Sequence, residues 1–156
     1  MDTRQATRIG LLAALTTVAT MIIHVPVPGV HGFVNFGDSV IILAALLFGP
    51  TVGFLAGGIG SGLADVLLGY PHWALLTFFI KGLEGYIAGR FRNRPLLAGV
   101  LAALWMVFGY FVAAGFMYGW PVAASAIPGD SLQGGVSIII ALLLYRALKR
   151  LVGVET

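Results

Sequence analysis

Lys81 and Glu84 stand three residues apart inside an otherwise apolar run, a spacing that places both on one face of a helix. Asp65 and Asp38 interrupt the two apolar runs before it. Counted from Trp73, the pair lies roughly 12 and 16 Å along the segment at 1.5 Å per residue. A charge so deep in a membrane costs at least about 2.5 kcal/mol on insertion scales, so it faces the interior and finds a partner. Helical side chains lean toward the N-terminus, which is outward for a segment descending from outside, and Lys81 is therefore expected to reach Asp65. Two compatible readings follow. One is an ion-paired strut between the third and fourth segments; the other is a polar pocket opening outward, floored by Asp65 or Lys81, with Glu84 holding Lys81 from below.

No group in the sequence offers a complete catalytic set. There is no Walker A loop and no H-E-x-x-H zinc pattern. Gly58-Ile59-Gly60-Ser61-Gly62 suggests a nucleophilic serine, but Ile59 stands where G-x-S-x-G and the intramembrane-protease pattern both need Gly. Leu63 likewise breaks G-x-G-x-x-G, and no strand precedes it. The three histidines, His24, His31 and His72, form no close pairing motif and read as loop residues, so no metal site is expected. With no cysteine, thiolate chemistry and disulfides are excluded. Neither a catalytic residue nor a cofactor is expected.

The elements that position these groups are membrane helices. Of 156 residues, 59% are hydrophobic and only 10% charged, against about 25% charged in a soluble domain. Mean hydropathy is +0.98. Taking about 20 apolar residues per span, the chain reads as one membrane domain, 1–156, of all-α class. It is a polytopic bundle of six transmembrane helices: Gln5 to Ile23, Asp38 to Phe48, Thr51 to Leu68, Trp73 to Phe91, Leu96 to Tyr118 and Ser131 to Leu151. Arg4 and Arg8 before an apolar run resemble a secretory signal, but no small-x-small cleavage site follows Ile23.

Basic residues collect at Arg4 and Arg8, at Arg90, Arg92 and Arg94, and at Arg146, Lys149 and Arg150. With six spans all three clusters share one side, which the positive-inside rule makes cytoplasmic, together with both termini. The opposite side carries His24 to Gly37, Gly69 to His72 and Gly119 to Asp130, with aromatics that read as an interfacial belt or as ordered lids. Asp38 is placed as a helix N-cap or a ligand contact. Asp130 and Gln133 have capping-box spacing at the start of the last segment, so Asp130 reads as a cap or, again, as a ligand contact.

Small residues recur on two segments. Gly49, Gly53 and Gly57, and again Gly58 and Gly62, follow at every fourth position, letting two membrane helices approach closely. Ala6, Gly10 and Ala14 repeat the spacing in the first segment, where packing within the bundle or docking of a partner membrane subunit both explain it.

Taken together, Phe36 to Val40 (FGDSV), Leu43 to Pro50 (LAALLFGP), Gly57 to Asp65 (GGIGSGLAD) and Ile80 to Gly85 (IKGLEG) make the chain resemble the S components of energy-coupling factor (ECF) vitamin transporters. The resemblance covers most of the chain. It implies a six-helix subunit in a prokaryotic cell membrane that captures a vitamin or precursor from outside. It also implies a membrane scaffold subunit and two ATPase subunits as partners, with ATP hydrolysis in those partners and none in this chain. The family docks its first helix on the scaffold through an A-x-x-x-A pattern, which Ala6, Gly10 and Ala14 match with Gly in the middle. Within the family the sequence is similar to the riboflavin, pyridoxine and hydroxymethylpyrimidine branch. A flat heteroaromatic ligand suits the outer residues, stacking on Trp73, Tyr70 or Trp120 and hydrogen-bonding Asn35, His72 or Gln133 beside Asp38, Asp65 and Lys81. The competing class is a self-sufficient channel or facilitator, which needs a continuous polar path; below Glu84 the fourth segment offers only Tyr86 before Arg90.

Overall fold

The computed structural model describes residues 2–22, 24–26 and 33–152. Among the described residues six helices follow in order: α1 (Thr3–Ile22), α2 (Gly37–Phe48), α3 (Pro50–Leu67), α4 (Pro71–Arg90), α5 (Pro95–Tyr118) and α6 (Trp120–Val152). Between α1 and α2 two short strands, β1 (His24–Pro26) and β2 (Phe33–Asn35), pair antiparallel with His24 opposite Asn35. This hairpin is an addition to the connection expected there; His31 and Ile23 lie outside the described residues.

Proline sets three of the helix starts. Pro50, Pro71 and Pro95 occupy the first turns of α3, α4 and α5, where a missing N–H costs nothing and a fixed φ favours the helix. Between α2 and α3 the chain turns at Gly49, whose φ of 91° and ψ of −177° only glycine adopts without strain. Gly49 therefore makes the turn and is no part of the glycine face of α3.

That face is Gly53, Gly57, Gly58 and Gly62, and it fixes how α3 meets α4. A methyl at Gly57 would lie 2.7 Å from the Lys81 carbonyl, and one at Gly53 would lie 2.5 Å from the Gly85 carbonyl. The two backbones touch, as small-residue faces permit between membrane helices. On its other side α3 packs against α1, where the Thr17 hydroxyl donates to the Gly60 carbonyl at 2.9 Å. The short α2 runs through the middle, with Ile41, Ile42 and Leu46 fully buried, and its far side joins α6 through Ala141 and Tyr145. α5 packs between α4 and α6. Leu11, Leu75, Leu104, Phe108, Phe116 and Leu143 point out from the bundle, the arrangement of a protein surrounded by lipid. α1, α3, α5 and α6 are each long and apolar enough to cross a membrane. α2 is too short for that, and Lys81 and Glu84 interrupt α4.

The last helix departs from the sequence expectation. It begins at Trp120 rather than Ser131 and runs through Pro128, so Asp130 and Gln133 sit inside it and form no capping box. Pro-Gly-Asp reads locally as a turn. In an apolar setting, however, leaving the helix would strand many backbone groups, whereas an interior proline forfeits one hydrogen bond. Asp38 is not an N-cap either: it lies within the first turn of α2, and its carboxylate is engaged elsewhere.

Candidate functional site

Trp73, Thr77, Lys81 and Glu84 fall at helical spacing on one face of α4, and all four are buried. This stripe runs down the middle of the bundle. Its lower part is an ionic centre. Lys81 Nζ donates to Asp38 Oδ1 of α2 and lies 3.2 Å from Glu84 Oε2, one helical turn along. Lys81 and Glu84 form an ion pair, with neither Glu84 oxygen in good hydrogen-bond geometry. Gln133 of α6 donates from Nε2 to Asp38 Oδ2 at 2.6 Å, and its Oε1 accepts the Asn35 N–H at 2.8 Å. Asn35 Oδ1 accepts in turn from the Gly37 N–H at 2.8 Å. One connected network thus ties β2, α2, α4 and α6 together.

Replacing Gln133 with Leu removes two of these bonds and leaves the Asn35 N–H and one Asp38 oxygen buried without partners. A loss of about 1–3 kcal/mol is expected. Thermal unfolding in detergent checks it, and an unchanged midpoint would mean the network contributes nothing.

The expected Lys81–Asp65 pair does not form. Gly57 lies beside the Lys81 backbone, which leaves Asp65, eight residues further along α3, roughly 12 Å up the antiparallel pair. Asp65 meets the α4 stripe higher, at the Thr77 side chain. The Thr77 oxygen accepts from the Tyr110 hydroxyl of α5 at 3.2 Å. Tyr110 packs edge-on against Trp73 at 5.7 Å, and Lys81 Nζ lies 5.4 Å from its ring centroid. Tyr110 and Thr77 are the members the sequence reading missed. Their signal is present: Thr77 bisects Trp73 and Lys81 at four-residue steps, and Tyr110 is a phenol in the middle of an apolar helix.

The remaining residues divide. Tyr70 packs with the cluster around Trp73, Ala114 and Ala123. His72 is exposed at the rim, its Nε2 3.1 Å from the Tyr118 hydroxyl. Asp130 lies within electrostatic reach of Lys81 and Asp38. Trp120 stands apart, half exposed against Phe111 and Phe116, and is not brought to the stripe. Ala6, Gly10 and Ala14 are all exposed along α1, and a methyl on Gly10 would meet nothing within 4 Å. Among the described residues, no three of His, Cys, Asp or Glu converge to hold a metal ion.

Comparison with known proteins gives a consistent picture. A family model described as the ECF-type riboflavin transporter, S component, matches residues 1–150. An uncharacterized protein of Pyrococcus woesei is 46% identical over 143 residues, covering 88% of this chain and 96% of that one. The thiamine precursor transporter HmpT of Lactococcus lactis subsp. cremoris is 32% identical over 154 residues, covering 96% of this chain and 92% of its own length. Among solved structures, the S component of a bacterial ECF transporter superposes with a TM-score of 0.78 at 23% identity, covering 97% of this chain and 98% of the other. FolT bound with folic acid gives 0.69 at 18% identity, covering 94% and 95%. Both share the fold.

Proposed function

Because the chain belongs to the family of ECF-type riboflavin transporter S components, we propose that it is the high-affinity substrate-binding subunit of an ECF importer for a B-vitamin or vitamin precursor. The candidate substrates are riboflavin and pyridoxine- or hydroxymethylpyrimidine-like molecules. The similarity to a thiamine precursor transporter favours the precursor end of that range. The observation that carries the reading is the stripe Trp73–Thr77–Lys81 on α4, buried, polar and walled by Tyr70 and Tyr110. Such a site has aromatic surface for a flat ring and few polar fixtures to orient it. Asn35, Asp38, Asp65, Lys81 and Gln133 shape or contact the ligand, with Tyr70, His72 and Trp73 toward its entrance.

In this reading the protein sits in a prokaryotic cell membrane with both termini cytoplasmic, beside a scaffold subunit and two ATPases that supply the energy. The small-residue face of α1 docks on the scaffold. Gly10→Leu is accordingly expected to leave ligand affinity unchanged while abolishing co-purification with the scaffold, because the added side chain enters open space in the isolated chain. Intact co-purification would remove α1 from the interface. A facilitator is disfavoured at the far end of α4, where Gly89 packs directly on Pro50 and Tyr86 faces outward. Uptake of labelled vitamin into proteoliposomes tests the whole reading: accumulation should require the ATPase and scaffold subunits, and accumulation by this chain alone would overturn it.

A further inference from the structure

A groove of about 480 Å³ runs along the outside of the bundle where α5 meets α6. Val100, Leu104 and Phe108 form one wall, and Ser131, Gly135 and Ile138 form the other. Leu104 and Phe108 are more than half exposed, and a methyl on Gly135 would meet nothing within 4 Å. The hollow exists because α6 has no side chain at Gly135 to fill it. Its lining is almost wholly apolar, so at membrane depth hydrocarbon fills it in preference to water.

The charges at one end of the groove define the occupant. Gly99 packs on Ile138 and Gly134 on Ala103, so α5 and α6 run antiparallel, with Arg94 at the start of α5 about one turn from Arg146 near the end of α6. On α6 the lining residues Ser131, Gly135 and Ile138 continue at helical spacing through Leu142 to Arg146 and Lys149. The groove thus leads toward three cations. Arg94 and Arg146 are exposed, and among the described residues no acidic side chain lies within ion-pairing distance of any of the three. α5 begins here without a capping side chain, and its positive helix end adds to the field. Gly135 is eleven residues from Arg146, roughly 16 Å along the helix, which is close to half of a hydrocarbon core of about 30 Å.

We propose that the α5–α6 groove holds one anionic phospholipid, its phosphate against Arg94, Arg146 and Lys149 and one acyl chain lying along Ile138, Gly135 and Leu104. The lipid braces the two helices from outside. This site is separate from the buried α4 stripe, and the proposal holds whatever molecule that stripe captures. α1 packs on α2 and α3, so a partner docked on α1 leaves the groove facing lipid.

The test uses the full chain, delipidated in detergent, with dioleoyl phosphatidylglycerol and dioleoyl phosphatidylcholine, which share their tails and differ in net charge. Native mass spectrometry should find one phosphatidylglycerol retained per chain in preference to phosphatidylcholine. Thermal unfolding should shift upward with phosphatidylglycerol, as a ligand of the folded state requires. Glycerol phosphate, which has the charge without the tails, should give no shift. Arg146→Gln combined with Lys149→Gln should weaken retention about 25-fold, at about fivefold for each basic residue removed. Gly135→Leu should abolish retention by filling the groove. Unchanged unfolding without lipid shows that the variants are folded, and the comparison of the two lipids on the wild type decides the charge requirement by itself. Equal retention of both lipids would overturn the proposal. So would wild-type retention in folded Gly135→Leu, which would place the lipid at the basic patch alone, and so would a lipid-free dimer, which would assign the groove to a second copy of this chain.

Discussion

Lys81→Ala is expected to destabilise the bundle by about 3–5 kcal/mol, or to prevent its assembly, which would make it among the most damaging single changes in the chain. The side chain is 2% exposed and carries two carboxylates that are themselves fully buried, Asp38 and Glu84. Truncation leaves both without a counter-ion at the centre of a membrane protein, the situation in which desolvation is not offset. The effect belongs to the imbalance rather than to the lysine alone. Lys81→Met combined with Asp38→Asn and Glu84→Gln should therefore recover much of the loss, since isosteric neutral replacement of buried ion pairs is often tolerated. Thermal unfolding of the variants in one detergent decides it. A single mutant melting with the wild type would show that the ion pairs do not hold α2 and α4 together.

Gly85→Leu is expected to give no folded protein. A methyl at Gly85 would overlap the Gly53 carbonyl, and neither partner is a flexible side chain that could move aside. Overpacking a core costs about 1–3 kcal/mol when side chains absorb it; here two helix backbones must separate, which would pull apart the α3–α4 pair that holds Asp65 and Lys81 in register. Even Gly85→Ala should reach about 3 kcal/mol. Gly135→Ala is the control, because a methyl there meets nothing within 4 Å. Size-exclusion profiles of tagged protein extracted from membranes provide the readout. A monodisperse peak for Gly85→Leu at wild-type yield would contradict the close approach.

Much of the architecture is legible in residue spacing. The four-residue recurrence of Gly53 and Gly57, and of Gly58 and Gly62, identifies a helix face with no room for side chains, and α4 fills it. Lys81 and Glu84 at a spacing of three announce a shared face and do contact each other. What spacing does not contain is register between distant segments. Asp38 is 43 residues from Lys81, and only the position of α2 against α4 makes it the partner in place of Asp65. The long start of α6 was hidden for a different reason. Pro128, Gly129 and Asp130 carry local turn preference, and the cost of unsatisfied backbone in an apolar environment overrides it. The β1–β2 hairpin is too short for alternation to announce itself.

Capture of a small nitrogen heterocycle is the centre of this account, and native mass spectrometry measures it most directly. The protein would be purified under mild conditions from cells supplied in turn with riboflavin, pyridoxine and a hydroxymethyl aminopyrimidine. One molecule bound per chain, retained from one of these cultures, is the predicted result. An empty chain from all three cultures would contradict it.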